Sequence, residues 1–533
     1  MRRSCYTSSH MERLLRAVYL GTVFCTGAGV LVVEVIAVRL LAPYFGASMY
    51  VLSSVLTVIL LALALGYYAG GKISDRYPQH LPLYSIITAS GLSLLALTFL
   101  AQVILPTLGY AAPLMLGPLF FALLLFFLPA FLLGVDSPYV IRLLTDFMPD
   151  HLRGEVVGAT FFWSTAGSIT GSLLAGFVLV PLLGLTTSLV GTGVLLVALG
   201  IGGGTLVTHL HRRLGHTASA HPRNLTTPIL AALLGSIALA YANVTHSYTD
   251  RDYLYLDDGY YSRIAVYERP FAGEDVRFLQ RDNNFSSGVF VDRPGLVFAY
   301  TQYALLYDQL FADQPEDFLM LGGGAYTIPT ALHAALPDLS IDVVEIEPQL
   351  HDLAQEYFRL PESDRIENHV MDARAYLSRT EEEYDFVFVD TFTSGLFIPP
   401  HLVTIEYLRE LREHLTDDGV VMVNFIGSRP RVGEEERTVT GSFTKTFTEV
   451  FPEPVVYTSH PERPQALQNL VFIARKNGGS IDLDPETVIT QQELDLPLRR
   501  LAITPERLMR PADAIFTDDH SPVELLLVNE RVW

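Results

Sequence analysis

Three short apolar runs in the second half of the chain each end in residues that could bind a ligand or react with one. Gly322, Gly323 and Gly324 follow the run FLML, Glu345 follows IDVV, and Asp390 follows YDFVFV. The carboxyl ends of parallel strands border one ligand crevice in an open sheet. The pattern therefore predicts a single site for a cofactor that contains adenosine.

The residue types suggest how such a cofactor would be held. Glycines allow a tight turn and a close approach of the backbone to a ligand, and Glu345 follows them by about 22 residues, the spacing at which a carboxylate accepts hydrogen bonds from ribose. A solvated charge at a strand end is the alternative for Glu345. Asp372 could accept the amino group of adenine, cap the helix that begins at Ala373, or do both.

The sequence lacks the motifs that are typical of other cofactors. No Walker lysine follows the glycines, which argues against a cofactor bound by its phosphate tail. No HExxH motif or Cys/His cluster indicates a metal site. Both cysteines, Cys5 and Cys25, lie in or beside the first apolar segment, so we expect no prosthetic group, metal or disulfide in the reaction.

Charge divides the chain into two halves. Residues 1–246 carry 7 acidic and 12 basic side chains, whereas residues 247–533 carry 50 acidic and 24 basic ones. Mean hydropathy is +0.31, which is high for an ordinary soluble protein. The acidic second half argues against nucleic acid as a partner and is typical of a surface kept soluble by charge.

The first half is expected to be a multi-pass membrane domain of about seven helices, because a span needs about 20 apolar residues. The predicted spans are Ala17–Val38, Ser48–Gly71, two in Leu81–Val135, two in Val156–His211, and Thr226–Val244. Basic residues precede span one and follow spans two, four and six, which places those loops in the cytoplasm. With seven spans the same rule places the acidic half outside, which conflicts with the expected cytoplasmic position of a domain that uses an adenosyl cofactor.

The second half is expected to contain two folds. Residues 247–313 alternate like antiparallel strands of a small β subdomain, and residues 314–533 alternate strands and helices like an α/β Rossmann-like domain of the methyltransferase type, with a C-terminal extension. The predicted strands of this domain include 318–321, 341–344, 367–371, 384–389 and 420–425.

The ordered motifs GGGAYT, VEIE, MDA and YDFVFVDTFTS resemble those of the spermidine synthase family, the polyamine aminopropyltransferases. The segments IPPHLVTIEY and TDDHSPVE resemble the branch of that family in which membrane helices precede the enzyme domain. The resemblance covers roughly residues 250–480.

The resemblance implies an enzyme that transfers the aminopropyl group of decarboxylated S-adenosylmethionine to putrescine or a related amine. Gly322 and Gly323 would approach this co-substrate, Glu345 would hold its ribose, and Asp372 with Ala373 would hold its adenine. Asp390 would accept the proton of the attacking amine, and methylthioadenosine would leave as a neutral thioether. Members are commonly oligomeric, which makes a homo-oligomer an expectation.

The chain departs from the family pattern in the expected amine pocket. Ala325 and Thr393 stand where the family has aspartates, and Ser262 stands where it has a glutamine. Tyr300 lies in the segment that corresponds to the family's YHE. Ser262, Tyr300 and Asp519 are therefore expected to contact the amine. Asp518, Asp519 and Glu524 of the TDDHSPVE segment would restore acidity to the pocket, and a helix N-cap with a solvated turn is the alternative for this segment.

Two other functions remain open on these residues. Loss of an amine-binding carboxylate at Ala325 would suit methyl transfer from S-adenosylmethionine itself. A non-catalytic membrane carrier or sensor could also bind an adenosyl ligand or a polyamine without turning it over. Product analysis separates the two enzyme functions, and binding without turnover would indicate the third.

Overall fold

The structure is a computed structural model that divides into two compact units, Met1–Arg251 and Asp252–Trp533. It describes residues 2–46, 48–109, 112–113, 115–146, 153–213, 235, 238, 252–282, 284–391, 399–429, 435–491 and 494–531. The predicted span Thr226–Val244 lies almost wholly outside these residues. The predicted boundaries at 246/247 and 313/314 stay predictions.

The described part of the first unit is helical. Its helices are α1 (Arg2–Phe45), α2 (Met49–Arg76), α3 (His80–Leu108), α4 (Gly117–Gly134), α5 (Asp136–Thr145), α6 (Arg153–Leu174) and α7 (Val180–Arg213), with a π-helical turn at Ala175–Leu179 between the last two. By length and composition, five continuous helical runs in this part could cross a bilayer. The first four run from Arg13, Met49, His80 and Gly117.

The fifth run, Arg153–Arg213, has 61 residues, about 90 Å if it were straight, which is three times the hydrocarbon thickness of a bilayer. Gly184 interrupts it with φ 74° and ψ 173°, a conformation that glycine adopts without steric cost. The interruption falls inside the turn predicted for residues 182–187. It allows the run to cross twice, as the two spans predicted there require.

Small residues bring the helices of this unit together. A Cβ atom at Gly167 or Gly171 of α6 would overlap the backbone of Phe24 or Ala28 in α1. Where apolar surface faces apolar lipid, such close backbone packing is a main source of helix association.

The second unit contains a small antiparallel sheet with the strand order β1-β2-β3-β4. The strands are β1 (Tyr253–Asp258), β2 (Arg263–Phe271), β3 (Glu274–Arg281) and β4 (Asn284–Phe290). Alternating apolar side chains of these strands, including Val276 and Phe278, are fully buried. The alternation predicted for a β subdomain is thus present in the structure.

The larger sheet of this unit has eight strands in the order β14-β10-β11-β9-β8-β5-β6-β7. Their bounds are β5 (Asp317–Leu321), β6 (Ser340–Glu345), β7 (Ile366–Val370), β8 (Tyr384–Val389), β9 (Leu415–Gly427), β10 (Val455–Thr458), β11 (Gln468–Arg475) and β14 (Ala502–Ile503). A separate hairpin pairs β12 (Val488–Gln491) with β13 (Leu494–Pro497).

Parallel pairing joins β5 to β6 and β8, β6 to β7, and β8 to β9. The chain therefore winds in one direction from β5 through β6 to β7 and then in the other through β8 to β9. The reversal creates a switch point between β5 and β8, where ligands bind in open α/β sheets. The Rossmann-like sheet confirms the predicted α/β fold.

Helices connect and cover the strands of this unit. They are α8 (Tyr307–Leu310), α9 (Thr327–Ala335), α10 (Leu350–Tyr357), α11 (Ala373–Leu377), α12 (Ile405–Glu413), α13 (Val439–Val450), α14 (Leu498–Leu501) and α15 (Val523–Arg531). Short 3₁₀ helices occur at Ala299–Leu306, Pro400–Leu402 and Pro505–Arg507. Phe318, Phe386 and Met422 are among the buried side chains of the sheet core.

Candidate functional site

An open cleft lies at the switch point of the large sheet. The glycine turn after β5, the ends of β6 and β8, and residues of β3 and β4 border it. Gly322 has φ +93°, and a Cβ atom there would overlap the carbonyl oxygen of Asp390. Glycine is therefore needed where β5 meets the end of β8, and the turn brings Glu345 and Asp390 to one cavity as the sequence predicted.

The buried carboxylate of Glu345 holds the glycine turn in place through hydrogen bonds. Its Oε2 accepts the backbone N–H groups of Gly323 and Gly324 at 3.0 Å each, and its Oε1 accepts that of Glu347 at 3.0 Å. The residue is 3% exposed. A carboxylate offers about four acceptor positions, so Oε1 retains capacity for a hydroxyl from the cleft. The ribose role of Glu345 stays a prediction.

Asp390 has hydrogen bonds to both of its carboxylate oxygens. The Tyr300 hydroxyl donates to Oδ2 at 2.9 Å, and the Asn424 amide donates to Oδ1 at 2.7 Å. Asn469 donates to the amide oxygen of Asn424 at 2.9 Å and so fixes its orientation. All four side chains line the cleft. The chain of bonds holds the carboxylate in one orientation.

Removal from bulk water raises the pKa of Asp390 to about 6, while the hydrogen bonds from Asn424 and Tyr300 act in the opposite direction. Burial also raises the pKa of Tyr300 well above its usual value. Tyr300 thus stays a donor at neutral pH, and Asp390 changes charge close to it. A carboxylate with a pKa near the working pH is suited to accept a proton.

Ser262 lies beside the cleft and contacts Arg281, which lines it. The Arg281 Nε atom donates to Ser262 Oγ at 3.1 Å, and its Nη1 lies 3.7 Å from Glu345 Oε1. Glu347 accepts the backbone N–H groups of Tyr260, Tyr261 and Ser262 at 2.7, 2.8 and 3.1 Å. These bonds attach the turn before β2 to the loop after β6, and they position Ser262.

Ala325 is buried, with 1% of its surface exposed. Its backbone N–H donates to Ser287 Oγ at 3.1 Å, and Ser287 itself lines the cleft. The side chain after the glycine turn therefore packs in the core and adds no carboxylate to the cavity. Thr393, the other departure, lies outside the described residues.

Asp372 caps α11 and does not border the cleft in the described part of the chain. Its Oδ1 accepts the N–H groups of Arg374 and Ala375 at 3.0 and 3.1 Å, and its Oδ2 lies 3.0 Å from His401 Nε2. The His401 contact holds the pKa of Asp372 below its usual value. Capping is thus observed, while the adenine roles of Asp372 and the buried Ala373 stay predictions.

The motifs IPPHLVTIEY and TDDHSPVE dock against each other. Thr404 donates to Asp518 Oδ1 at 2.7 Å, and the Ile405 N–H donates to the Phe516 carbonyl at 2.9 Å. Arg374 donates to the two oxygens of Asp518 at 2.8 and 2.7 Å, which lowers the pKa of Asp518 to about 2. These motifs support α11 at the sheet edge.

Asp519 follows in the turn between Thr517 and His520, where it is exposed. It is not among the described residues that border the cleft, so the structure gives no support for its predicted contact with the amine.

One group of potential metal ligands occurs elsewhere in the described residues. Ligand atoms of Asp342, Glu367 and His369 lie within 4.8 Å of one another on β6 and β7. The Tyr384 hydroxyl and His369 already contact the two oxygens of Asp342 at 2.7 and 3.0 Å. The group faces a second depression, separate from the cleft, and the expectation that no metal takes part stays a prediction.

Sequence reasoning missed Asn424, Asn469 and Arg281 as site residues. A signal existed for Asn424, the one polar residue in the run VVMVNFI of β9. Asn469 reaches it because β11 pairs antiparallel with β9, a register that the sequence does not show. Arg281 comes from the small sheet, about 40 residues before the first motif.

Comparison with known proteins gives the same assignment as the motifs. Residues 298–481 match the spermine/spermidine synthase domain. This segment contains Tyr300, the glycine turn, Glu345, Asp390, Asn424 and Asn469. The matched segment is therefore a spermine/spermidine synthase domain, and its relatives support an enzyme of the transferase class.

Individual relatives match part of the chain. A polyamine aminopropyltransferase of Vibrio vulnificus is 28% identical over 244 residues, which are 44% of this chain and 77% of the relative. An N-terminal histidine N-methyltransferase of Emericella nidulans is 32% identical over 179 residues, 32% of this chain and 30% of that protein. A probable spermidine synthase structure from Corynebacterium glutamicum is 22% identical, covers 42% of this chain and 79% of its own, and has a TM-score of 0.37.

The domain match confirms the resemblance to spermidine synthases found in the motifs. The family match begins at residue 298, so Ser262 and Arg281 lie before it and Asp519 lies after it.

Proposed function

We propose that this chain is a membrane-bound polyamine aminopropyltransferase that transfers the aminopropyl group of decarboxylated S-adenosylmethionine to putrescine or a related amine. The observation that carries the proposal is Asp390 at the switch point, with a pKa of about 6 and its carboxylate held by Tyr300 and Asn424. The family match and the Vibrio aminopropyltransferase support the same reaction type.

The chemistry requires one proton acceptor. The amine nitrogen loses its proton to Asp390 and attacks the propyl carbon next to the sulfonium sulfur. The new N–C bond forms as the C–S bond breaks, and the electron pair of that bond remains on sulfur. Methylthioadenosine leaves as a neutral thioether and needs no acid.

The donor, decarboxylated S-adenosylmethionine, would bind at the side of the cleft formed by the glycine turn and Glu345. Gly322 and Gly323 bring the backbone close to the ligand, and the free acceptor capacity on Oε1 of Glu345 is available to ribose hydroxyls. Tyr300 and Asn424 position Asp390 on the side where the amine would enter. No prosthetic group is required by this chemistry.

The test uses the full chain in detergent with decarboxylated S-adenosylmethionine and putrescine. We expect release of methylthioadenosine, measured by chromatography, and a fall of roughly 100-fold or more in Asp390→Asn, the range for loss of a general base. Asp313→Asn is the matched control because Asp313 is an exposed carboxylate of the same unit. Equal activity of the Asp390 and Asp313 variants would contradict the role of Asp390.

Methyl transfer from S-adenosylmethionine is the second candidate. It is favoured by Ala325, which is buried and supplies no carboxylate next to the glycine turn, and by the similarity to the histidine N-methyltransferase. The product decides between the two reactions: S-adenosylhomocysteine indicates methyl transfer, whereas methylthioadenosine indicates transfer of the propyl chain. Ligand binding with neither product would indicate a sensor or carrier.

We also propose that the first unit resides in a membrane as a multi-pass domain and that the enzyme domain faces the cytoplasm. Five helical runs long and apolar enough to cross a bilayer support the first part. Single cysteines are introduced at Asp313 and at Met115, which is exposed between α3 and α4. A membrane-impermeant reagent should label the Met115 site and not the Asp313 site in intact cells. Labelling of the Asp313 site in intact cells would contradict the cytoplasmic position. Recovery of the chain in the soluble fraction would contradict membrane residence.

A further inference from the structure

Arg281 is the one lysine or arginine among the described residues that border the cleft. It ends β3, and its side chain is 15% exposed. The other charged groups at the cleft are the carboxylates of Glu345 and Asp390. A largely buried guanidinium is costly unless it pairs with an anion, so the role of this cation depends on what it can pair with.

Glu345 does not need Arg281 to satisfy its carboxylate. Three backbone N–H groups already bind it at 3.0 Å, and the nearest guanidinium nitrogen lies 3.7 Å away. That distance is beyond the range of a hydrogen bond. The attraction between them is therefore a charge interaction that leaves the terminal N–H groups of Arg281 available.

Arg374 in the same unit provides a comparison, because its guanidinium makes hydrogen bonds through all of its nitrogen atoms. It donates to both oxygens of Asp518 at 2.8 and 2.7 Å, to Glu410 at 3.3 Å and to the His401 carbonyl at 3.2 Å. The guanidinium of Arg281, by contrast, makes one hydrogen bond, from Nε to Ser262 Oγ at 3.1 Å. That bond limits the movement of the guanidinium, and Arg281 borders the cavity.

A guanidinium matches a carboxylate well, because two parallel N–H groups can bind its two oxygens. The same positive charge opposes an alkylammonium ion placed beside it. Ala325, which is buried, adds no negative charge to offset this effect. Arg281 thus offers the cleft a partner for a carboxylate, and Asp390 offers one for the amine of the same class of substrate.

We propose that Arg281 binds the carboxylate of an α-amino acid group on one of the two substrates. The proposal rests on the proposed function, since it assumes group transfer in the same cleft, and it narrows the substrate class. The carboxylate has two possible sources. The donor would carry it if the cleft takes S-adenosylmethionine itself, and the acceptor would carry it if the cleft takes a diamino acid such as ornithine.

The transfer reaction is balanced whether the donor or the acceptor carries the carboxylate. A diamino acid attacks through its amine, loses that proton to Asp390 and releases methylthioadenosine from the decarboxylated donor. S-adenosylmethionine can lose its methyl group and leave as S-adenosylhomocysteine, or lose its aminocarboxypropyl group and leave as methylthioadenosine. In every case one C–S bond breaks, one N–C bond forms and the electron pair remains on sulfur.

The experiment compares two matched pairs that differ only in the carboxylate: S-adenosylmethionine with its decarboxylated form, and ornithine with putrescine. All four donor and acceptor combinations are given to the full chain in detergent, and both nucleoside products are measured. We expect kcat/KM to be higher with the carboxylate-bearing member of one pair, roughly 10- to 100-fold, as for one charge-assisted contact.

Arg281→Met should abolish that preference, so that the two members of the pair react with similar kcat/KM. Arg281→Lys should restore part of the preference, because it returns the charge without the paired N–H groups. Arg263→Met is the matched control, since Arg263 lies on β2 of the same sheet, is 44% exposed and pairs with Asp258 at 3.6 Å. It should retain the preference of the parent protein.

An equal loss of activity in Arg281→Met with all four combinations would overturn the proposal and indicate that Arg281 only supports Glu345. A preference for both decarboxylated substrates in the parent protein would overturn it as well, and would leave the proposed function intact. If no combination gives a product, the proposed function fails. Calorimetric binding of the four compounds to the parent and to Arg281→Met then decides the proposal: a carboxylate preference that is lost in the variant supports it, and the absence of such a preference overturns it.

Discussion

The hydroxyl of Tyr300 donates to Oδ2 of Asp390 across 2.9 Å, although the two residues are 90 positions apart in the chain. Tyr300 belongs to a 3₁₀ helix before the large sheet, and Asp390 follows the end of β8. The contact joins the entry segment of the α/β domain to the proposed proton acceptor. It also gives a direct way to change the pKa of Asp390 without removing its carboxylate.

Replacing Tyr300 with phenylalanine should shift the pH dependence of the reaction to higher pH. The hydrogen bond from Tyr300 lowers the pKa of Asp390, which is about 6 in the intact site, so its loss should raise that pKa further. Because the ionised form accepts the proton, activity should rise through pH 6 in the parent protein and at higher pH in Tyr300→Phe. The measurement is kcat/KM from pH 5 to 9. Superimposable profiles would exclude this contact as a determinant of the base.

Replacing Asp390 with asparagine should change how stability depends on pH. The folded-state pKa of about 6 lies above the usual value of 3.8, so the folded protein keeps this proton to a higher pH than the unfolded chain does. The contribution of Asp390 to stability is therefore full below about pH 4 and declines as the pH rises through 6. The melting temperature of Asp390→Asn, measured relative to that of the parent, should therefore increase as the pH is raised from 5 to 8. A constant difference across that range would contradict the raised pKa.

Removing the Glu347 carboxylate should destabilise the second unit. Glu347 is 1% exposed and accepts three backbone N–H groups of the turn before β2. Glu347→Ala would leave buried donors without a partner, at a cost of about 2–4 kcal/mol in the free energy of unfolding. Thermal or denaturant unfolding of the full chain measures this cost. Glu381→Ala, at an exposed loop position, should change stability by less than about 0.5 kcal/mol.

A large side chain at Gly167 should disrupt the packing of α6 on α1. A Cβ atom at Gly167 would overlap the carbonyl oxygen of Phe24, whereas one at Gly158 in the same helix has no atom within 4 Å. Gly167→Leu should therefore cost about 1–3 kcal/mol or more through overpacking, and Gly158→Leu should be tolerated. The midpoint of thermal aggregation in detergent measures both. Equal tolerance of the two variants would show that α1 and α6 do not pack closely through these glycines.

The sequence alone determined the elements whose causes are local. Apolar runs without charge predicted the long helices, and the turn predicted at residues 182–187 contains Gly184 because a glycine there can leave the helical conformation. Apolar runs that end in Gly322, Glu345 and Asp390 predicted parallel strands with one ligand cleft, since the carboxyl ends of such strands converge wherever the sheet forms. The order of these motifs was sufficient to show the resemblance to spermidine synthases that the domain match bears out.

Only the tertiary structure decided which side chains accompany those residues in the cleft. Asn469 reaches Asn424 through the antiparallel register of β11 on β9, and Arg281 reaches the cleft from a different sheet. The motif residue Asp518, by contrast, is paired with Arg374 at a helix that supports the sheet edge. Strand ends are set by nearest neighbours in the chain, whereas these contacts depend on pairing and docking between segments far apart in sequence.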